Sequence, residues 1–155
     1  MQAPQEPETD LDFLDFYARG GEEQRLVDNG AGLLEQARTE ELLQRFLPAP
    51  PAMVLDVGDG AGRYSVWLAE RRYEVHLVDP VPTAVEQAAR RSAAASRPMA
   101  SARVGNARRL RFEDECAADV LLLGPLYHLT SRGERLAALA EAGVSCGLVA
   151  SCSAR

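Results

Sequence analysis

Apolar positions fall into two regimes along the chain: helical spacing up to about residue 47, then short apolar runs alternating with helical spacing. Phe13, Phe16 and Tyr17 stand at i, i+3 and i+4, one face of a helix that Thr9 or Asp10 caps and Gly20-Gly21 ends. A second short helix is predicted over 22–28, closed by Asn29-Gly30. A third is predicted over 31–46, with Leu42, Leu43 and Phe46 as its core stripe. Thr39, followed by Glu40 and Glu41, is placed to break it as an internal cap. Pro48, Pro50 and Pro51 end this helical section.

From there the pattern alternates. Residues 53–58 are a short apolar run between prolines and glycines, which reads as a buried strand, and 62–72 reads as a helix. Residues 74–79, EVHLVD, form a second strand; Pro80 and Pro82 make the turn, and a helix follows over 83–95. A short third strand is predicted over 102–105 and a polar loop or single helical turn over 111–117. Residues 119–124, DVLLLG, are apolar on both faces, as in a central parallel strand. Ser131 caps a helix reaching about Ala142, and 147–151 is at most a weak fifth strand. Strand and helix alternating at these lengths predict an α/β fold with a doubly wound, mostly parallel sheet.

Composition narrows the partners. A chain of 155 residues suits one domain, and 46% hydrophobic with 26% charged residues suits a globular one. The net charge of −6 argues against a nucleic-acid backbone as partner, and every one of the 17 basic residues is arginine. Cys116, Cys146 and Cys152 show no metal spacing; no metal is expected, and reduced thiols point to the cytoplasm. No apolar run reaches the roughly 18 residues of a membrane span, and residues 1–9 read as a loose tail, not a signal peptide.

In such sheets ligands bind beyond the C-terminal ends of the strands. Three features stand there: the turn Gly58-Asp59-Gly60-Ala61-Gly62, the carboxylate of Asp79, and Gly105-Asn106-Ala107. Bare backbone in the turn admits close approach of a ligand, and the helix after it turns free N–H groups toward the same spot. A carboxylate such as Asp79 accepts both hydroxyls of a ribose. A polar side chain and a backbone N–H at 106–107 can read an adenine edge. Together they describe an adenosine-containing ligand. A nicotinamide dinucleotide is disfavoured, because its glycine fingerprint needs a third glycine where Arg63 stands.

The chain resembles class I S-adenosylmethionine-dependent methyltransferases, in particular the ubiquinone/menaquinone methyltransferase-like, small-molecule type. LDVGDGAG resembles their glycine motif, HLVDP the acidic motif of the second strand, and VGNARRLRFEDECAADVLLLGPLYHL the run from adenine contact to fourth strand. FYARGGEEQRL is similar to their N-terminal lid. The resemblance implies a Rossmann-like domain over 48–155 behind a tail and helical lid over 1–47. It implies S-adenosyl-L-methionine as cofactor and a small-molecule methyl acceptor. Gly58 and Gly60 would approach the methionine part, with Asp59 in the same loop. Asp79, followed by Pro80, would hold the ribose; Asn106 and Ala107 would contact the adenine. Leu123 would line the pocket and Tyr17 would close over it. Tyr127 and His128 would face the acceptor, with His128 the candidate base; its alternative is a loop histidine bonded to backbone.

Three departures stand out. Asn106 replaces the usual aspartate, a loss of about 0.5–2 kcal/mol in hydrogen bonding. Asp59 replaces a small residue and is expected to turn to solvent. The family pattern carries two more strands and a helix beyond the fifth strand, whereas this sequence stops at Arg155. The expectation is an incomplete sheet whose open edge can pair with a second copy of the chain. The competing expectation is a truncated cofactor-binding pseudoenzyme, or a subunit that a partner completes, without activity of its own.

Overall fold

A computed structural model describes residues 30–146, with side chains from residue 32. The predicted helices over 10–19 and 22–28, the lid residue Tyr17 and the weak strand at 147–151 lie outside the described residues. The elements in order are α1 (Gly30–Phe46), β1 (Met53–Val57), α2 (Arg63–Glu70), β2 (Glu74–Asp79), α3 (Pro82–Ala94), β3 (Ser101–Val104), β4 (Asp119–Leu121), α4 (Pro125–His128) and α5 (Arg132–Ser145).

The four strands form one sheet in the order β3-β2-β1-β4, and every pairing is parallel. Period-two alternation sorts the side chains onto its two faces. Val54, Val75 and Leu77 enter one core with Leu43 of α1, Val66, Leu68 and Ala69 of α2, and Val85 and Ala88 of α3. Leu55, Val57 and Val78 enter the other, with Ala107, Leu110 and Ala117 of the connecting loops and Ala138 of α5. Both faces are therefore covered, and the fold is the doubly wound α/β sheet that the alternation predicts. Val54, Leu55, Val75 and Leu77 have no exposed surface, each burial contributing roughly 1.5–3 kcal/mol.

Several local expectations change. The helix over 30–46 is continuous, so Thr39 is not a break. Of its expected stripe only Leu43 is buried; Leu42 and Phe46 are exposed. The fourth strand stops at Leu121 instead of running to Gly124. It pairs with β1 at one side of the described sheet, in which β1 and β2 are the interior strands. The reason lies in Gly124, whose Cα is pressed against the Gly58 carbonyl: a Cβ there would sit 2.5 Å from that oxygen. The chain leaves the sheet to make this contact, and Pro125 starts α4 at once. Ser131 caps α5 as predicted, with a full capping box to Glu134. No helix among the described residues is long and apolar enough to cross a membrane.

Candidate functional site

The turn after β1 holds Gly58, Gly60 and Gly62 at φ of +82°, +60° and +76°, a region that L side chains rarely adopt. They share the backbone reason but differ in surroundings. A Cβ on Gly58 would lie 2.7 Å from Cδ and Cγ of Pro125, and one on Gly62 would lie 2.7 Å from Cβ of Ala88. A Cβ on Gly60 would meet nothing within 4 Å. Gly58 and Gly62 are therefore packing glycines, and Gly60 is the one whose Cα face is open to a ligand.

Asp79 ties this turn to the neighbouring strand ends. Its Oδ2 accepts the Gly60 N–H at 3.0 Å, and its Oδ1 accepts the Val81 N–H at 2.9 Å. Its backbone carbonyl accepts the Gly105 N–H at 3.0 Å. The residue is only 5% exposed, and burial pushes its carboxyl above the usual range, partly offset by those two N–H donors. Each carboxylate oxygen has capacity for a further donor. A partly desolvated carboxylate beside open backbone suits an uncharged pair of hydroxyls. Pro80, half-buried, follows it at the start of the turn into α3.

Beneath the turn lies a second group of acids. Asp56 is fully buried at the end of β1 and accepts the Ser65 hydroxyl on Oδ2 at 2.8 Å. Its Oδ1 has no hydrogen-bond partner among the described residues. Asp59 does not turn to solvent: its Oδ2 accepts the Ser65 N–H at 2.9 Å, in the first turn of α2. The physical reason is that Gly62, the residue before α2, has no side chain to satisfy the helix's free N–H groups. Asp59 supplies that acceptor from the loop. Burial pushes Asp56 up to about 6 and Asp59 well above the usual carboxylate range, with the charge of Asp56 adding to the rise at Asp59. Ser65 was not singled out in the sequence. The signal for it was a helix start with no capping side chain and an acid just upstream.

The end of β3 carries Asn106 and Ala107. Ala107 is buried, and Asn106 is half-buried in a tight turn that the Arg109 N–H closes onto the Asn106 carbonyl at 2.9 Å. Asn106 Oδ1 accepts the Arg108 backbone N–H at 2.9 Å and Arg108 Nε at 3.1 Å. Arg108 in turn forms an ion pair with Glu134 in the first turn of α5. No local sequence pattern marks Arg108 or Glu134, because they meet only through the fold.

Beyond β4, Leu123 is partly exposed and Tyr127 is 86% exposed on α4, a helix of four residues. His128 is exposed beside it. The structure thus brings Gly58, Gly60, Asp59, Asp79 and the start of α4 to one end of the sheet. His76, expected to be structural, sits in β2 with Nδ1 2.7 Å from the Ser101 hydroxyl and its ring edge-on to Phe112.

Comparison with known proteins follows the same lines. A family described as "Methyltransferase domain" matches residues 54–144. An uncharacterized methyltransferase of Mycobacterium bovis is 29% identical over 103 residues, which is 64% of this chain and 40% of that protein. The matched stretch thus amounts to well under half of that relative. Among solved structures, a TehB-like SAM-dependent methyltransferase from Corynebacterium glutamicum superposes with a TM-score of 0.62 at 21% identity, covering 89% of this chain and 69% of that one. The phosphoethanolamine N-methyltransferase 1 of Haemonchus contortus, solved with phosphoethanolamine and S-adenosylhomocysteine, gives 0.58 at 24% identity, covering 71% of this chain and 23% of that one. At these identities the two structures speak for the shared fold.

Proposed function

The chain belongs to the methyltransferase-domain family, and on that premise we propose that it transfers a methyl group from S-adenosylmethionine to a small-molecule acceptor. The observation that carries this reading is the Asp79 carboxylate, which accepts the N–H of open Gly60 while its own carbonyl accepts that of Gly105. One residue thereby links the three strand ends across which an adenosyl group would lie.

S-adenosylmethionine is the cofactor, and its sulfonium supplies an already activated methyl group. The chain's own residues then have to bind, orient and exclude water. Gly60 offers an open backbone face for the methionine part. Asp79 accepts the ribose hydroxyls on the lone pairs its backbone donors leave. Asn106 and Ala107 face the base, and Leu123 lines the pocket. Gly58 contributes by letting Pro125 seat against the turn, which fixes where α4 starts. Tyr127 and His128 then stand on the acceptor side, with His128 taking a proton where the acceptor must lose one.

The small-molecule acceptor rests on the likeness to ubiquinone/menaquinone methyltransferases, and a cytoplasmic setting rests on the cysteine usage. The reading of a cofactor binder without activity of its own is not favoured by the family match.

The test is ultraviolet cross-linking of methyl-labelled S-adenosylmethionine to the full chain. Label that unlabelled S-adenosylhomocysteine displaces is the expected result. Absence of displaceable label contradicts the proposal.

A further inference from the structure

We propose that the groove between the end of α1 and the second half of α2 docks a proline-containing acidic segment, and that its occupant is the chain's own Pro4-Gln5-Glu6-Pro7-Glu8. The inference is independent of the cofactor reading, because the groove lies at the other end of the sheet. Pro50 and Tyr73 in its wall come just before β1 and β2, whereas Gly58 and Asp79 stand at the far ends of those strands.

The groove encloses about 390 Å3, and its wall includes Gln44, Leu47, Pro50, Trp67, Arg71 and Tyr73. Two aromatic rings, a proline and a leucine make it largely apolar. Arg71 is the one charge in the wall. Its guanidinium carbon lies 3.8 Å from the centroid of the Trp67 ring, and its Nη1 donates to the Trp67 carbonyl at 3.0 Å. The cation is thus held on the ring. It forms no ion pair among the described residues.

The polar character of the wall leans to donors. Arginine and tryptophan side chains can only donate. The side chains of Trp67 and Gln44 have no hydrogen-bond partner among the described residues. The Tyr73 hydroxyl already donates to the Pro48 carbonyl at 2.8 Å. An occupant that suits this wall brings carbonyls and carboxylates, few N–H groups and a flat apolar face.

A proline-containing acidic stretch has that balance. Proline keeps its carbonyl and lacks the N–H. Its extended left-handed helix is largely formed before docking on aromatic surfaces, so little order is lost. Residues 1–9 carry Pro4 and Pro7, and three residues per turn set both on one edge of such a helix. Glu6 and Glu8 supply anions for Arg71, and the stretch contains no lysine or arginine. The connection is long enough. Glu8 precedes Gly30 by 22 positions, which even as unbroken helix would span about 33 Å. From Gly30 along α1 to Gln44 is about 21 Å.

Trp67 is the only tryptophan in the chain, so its fluorescence reports on the groove. The experiment is acrylamide quenching of the full chain, wild type against a variant carrying Pro4→Ala, Glu6→Gln and Pro7→Ala. A tethered segment acts at an effective concentration on the order of millimolar, so a Kd on the order of 0.3 mM keeps the groove mostly filled, and the quenching constant should rise about twofold in the variant. A synthetic peptide of residues 2–10, added to the variant, should restore the wild-type quenching saturably. The same peptide with both prolines replaced by alanine should not. Adding Arg71→Met to the variant should weaken the peptide's apparent affinity by about fivefold or more, through loss of a charged contact. Equal quenching in wild type and variant, a peptide effect that does not saturate, or an affinity that Arg71→Met leaves unchanged overturns the proposal. A difference that appears only as protein concentration is raised assigns the groove to a second copy and overturns occupancy by the chain's own segment.

Discussion

The carboxylate of Asp79 holds the backbone N–H of Gly60 at 3.0 Å, across a gap of 19 positions in sequence. Its other oxygen holds the Val81 N–H at 2.9 Å. Two backbone donors thus converge on one acid that burial would otherwise disfavour. Asp79→Asn keeps one acceptor oxygen and sets an NH2 group against one of the two donors. The expected cost is about 1–3 kcal/mol of folding stability, the penalty for an unpaired buried donor. Urea denaturation of the two proteins measures it; equal stability would mean that these two bonds do not hold the turn.

The three glycines of the turn should rank by what surrounds them. Each substitution by alanine places a Cβ at positive φ, about 1–2 kcal/mol. Gly60→Ala adds no clash and should fold with little more than that cost. Gly58→Ala and Gly62→Ala add contacts at 2.7 Å to the Pro125 ring and to Ala88, and should lose a further 1–3 kcal/mol, roughly, from overpacking. Thermal melts of the three variants give the order. Gly60→Ala as the least stable of them would refute the assignment of Gly60 as the open position.

The buried acids predict a pH dependence. Asp56 is pushed up to about 6 and Asp59 well above the usual range, and Asp79 and Asp119 are raised as well, all chiefly through burial. With folded pKa values above the unfolded ones, the folded chain holds protons that the unfolded chain has released. Stability is therefore greatest on the acid side and falls as pH rises from roughly 4 through 6. The melting temperature should be higher near about pH 5.5 than near about pH 7.5, where most carboxylate-bearing folds gain or hold steady. A melting temperature that climbs over this interval contradicts the burial of these charges.

Asp59→Asn isolates the same effect. The amide keeps an oxygen for the Ser65 N–H and removes a charge beside Asp56. It can also offer a donor to Asp56 Oδ1, which has no partner among the described residues. The variant is expected to be more stable near neutral pH by about 1–3 kcal/mol, with a flatter pH profile. Calorimetric scans at two pH values decide it; loss of stability would show that the Asp59 charge serves the helix start more than it burdens Asp56.

Tyr127 belongs to another class. At 86% exposed it packs on little, so Tyr127→Ala should change stability by no more than about 0.5 kcal/mol. A cost of about 2 kcal/mol or more in urea denaturation would show that α4 is anchored through this ring.

Much of the architecture was legible because local chemistry and global fold agree. The apolar run into Gly58, the β-branched EVHLVD and the Ser131 cap each name one element unambiguously. Asp79 could be placed because a strand end fixes where its last side chain stands. What escaped depends on pairs far apart in sequence. Pro125 seats on Gly58, which ends β4 early, and no local pattern in DVLLLG foretells it. The Asn106–Arg108–Glu134 chain needs α5 folded back beside the end of β3. Asp59 reads as a solvent-facing charge because nothing local in the sequence shows that the start of α2 lacks a capping side chain. Leu42 and Phe46 follow helical spacing, yet only Leu43 reaches the core, since periodicity marks a face without saying what covers it.

The most direct measurement is the affinity of the full chain for S-adenosylhomocysteine, by isothermal titration, in wild type and in Asp79→Asn. Saturable one-to-one binding by the wild type, weakened about tenfold or more in the variant, is the predicted result. No binding by the wild type, or equal affinity in the two proteins, would contradict the claim that a ribose-holding carboxylate beside an open glycine defines this site.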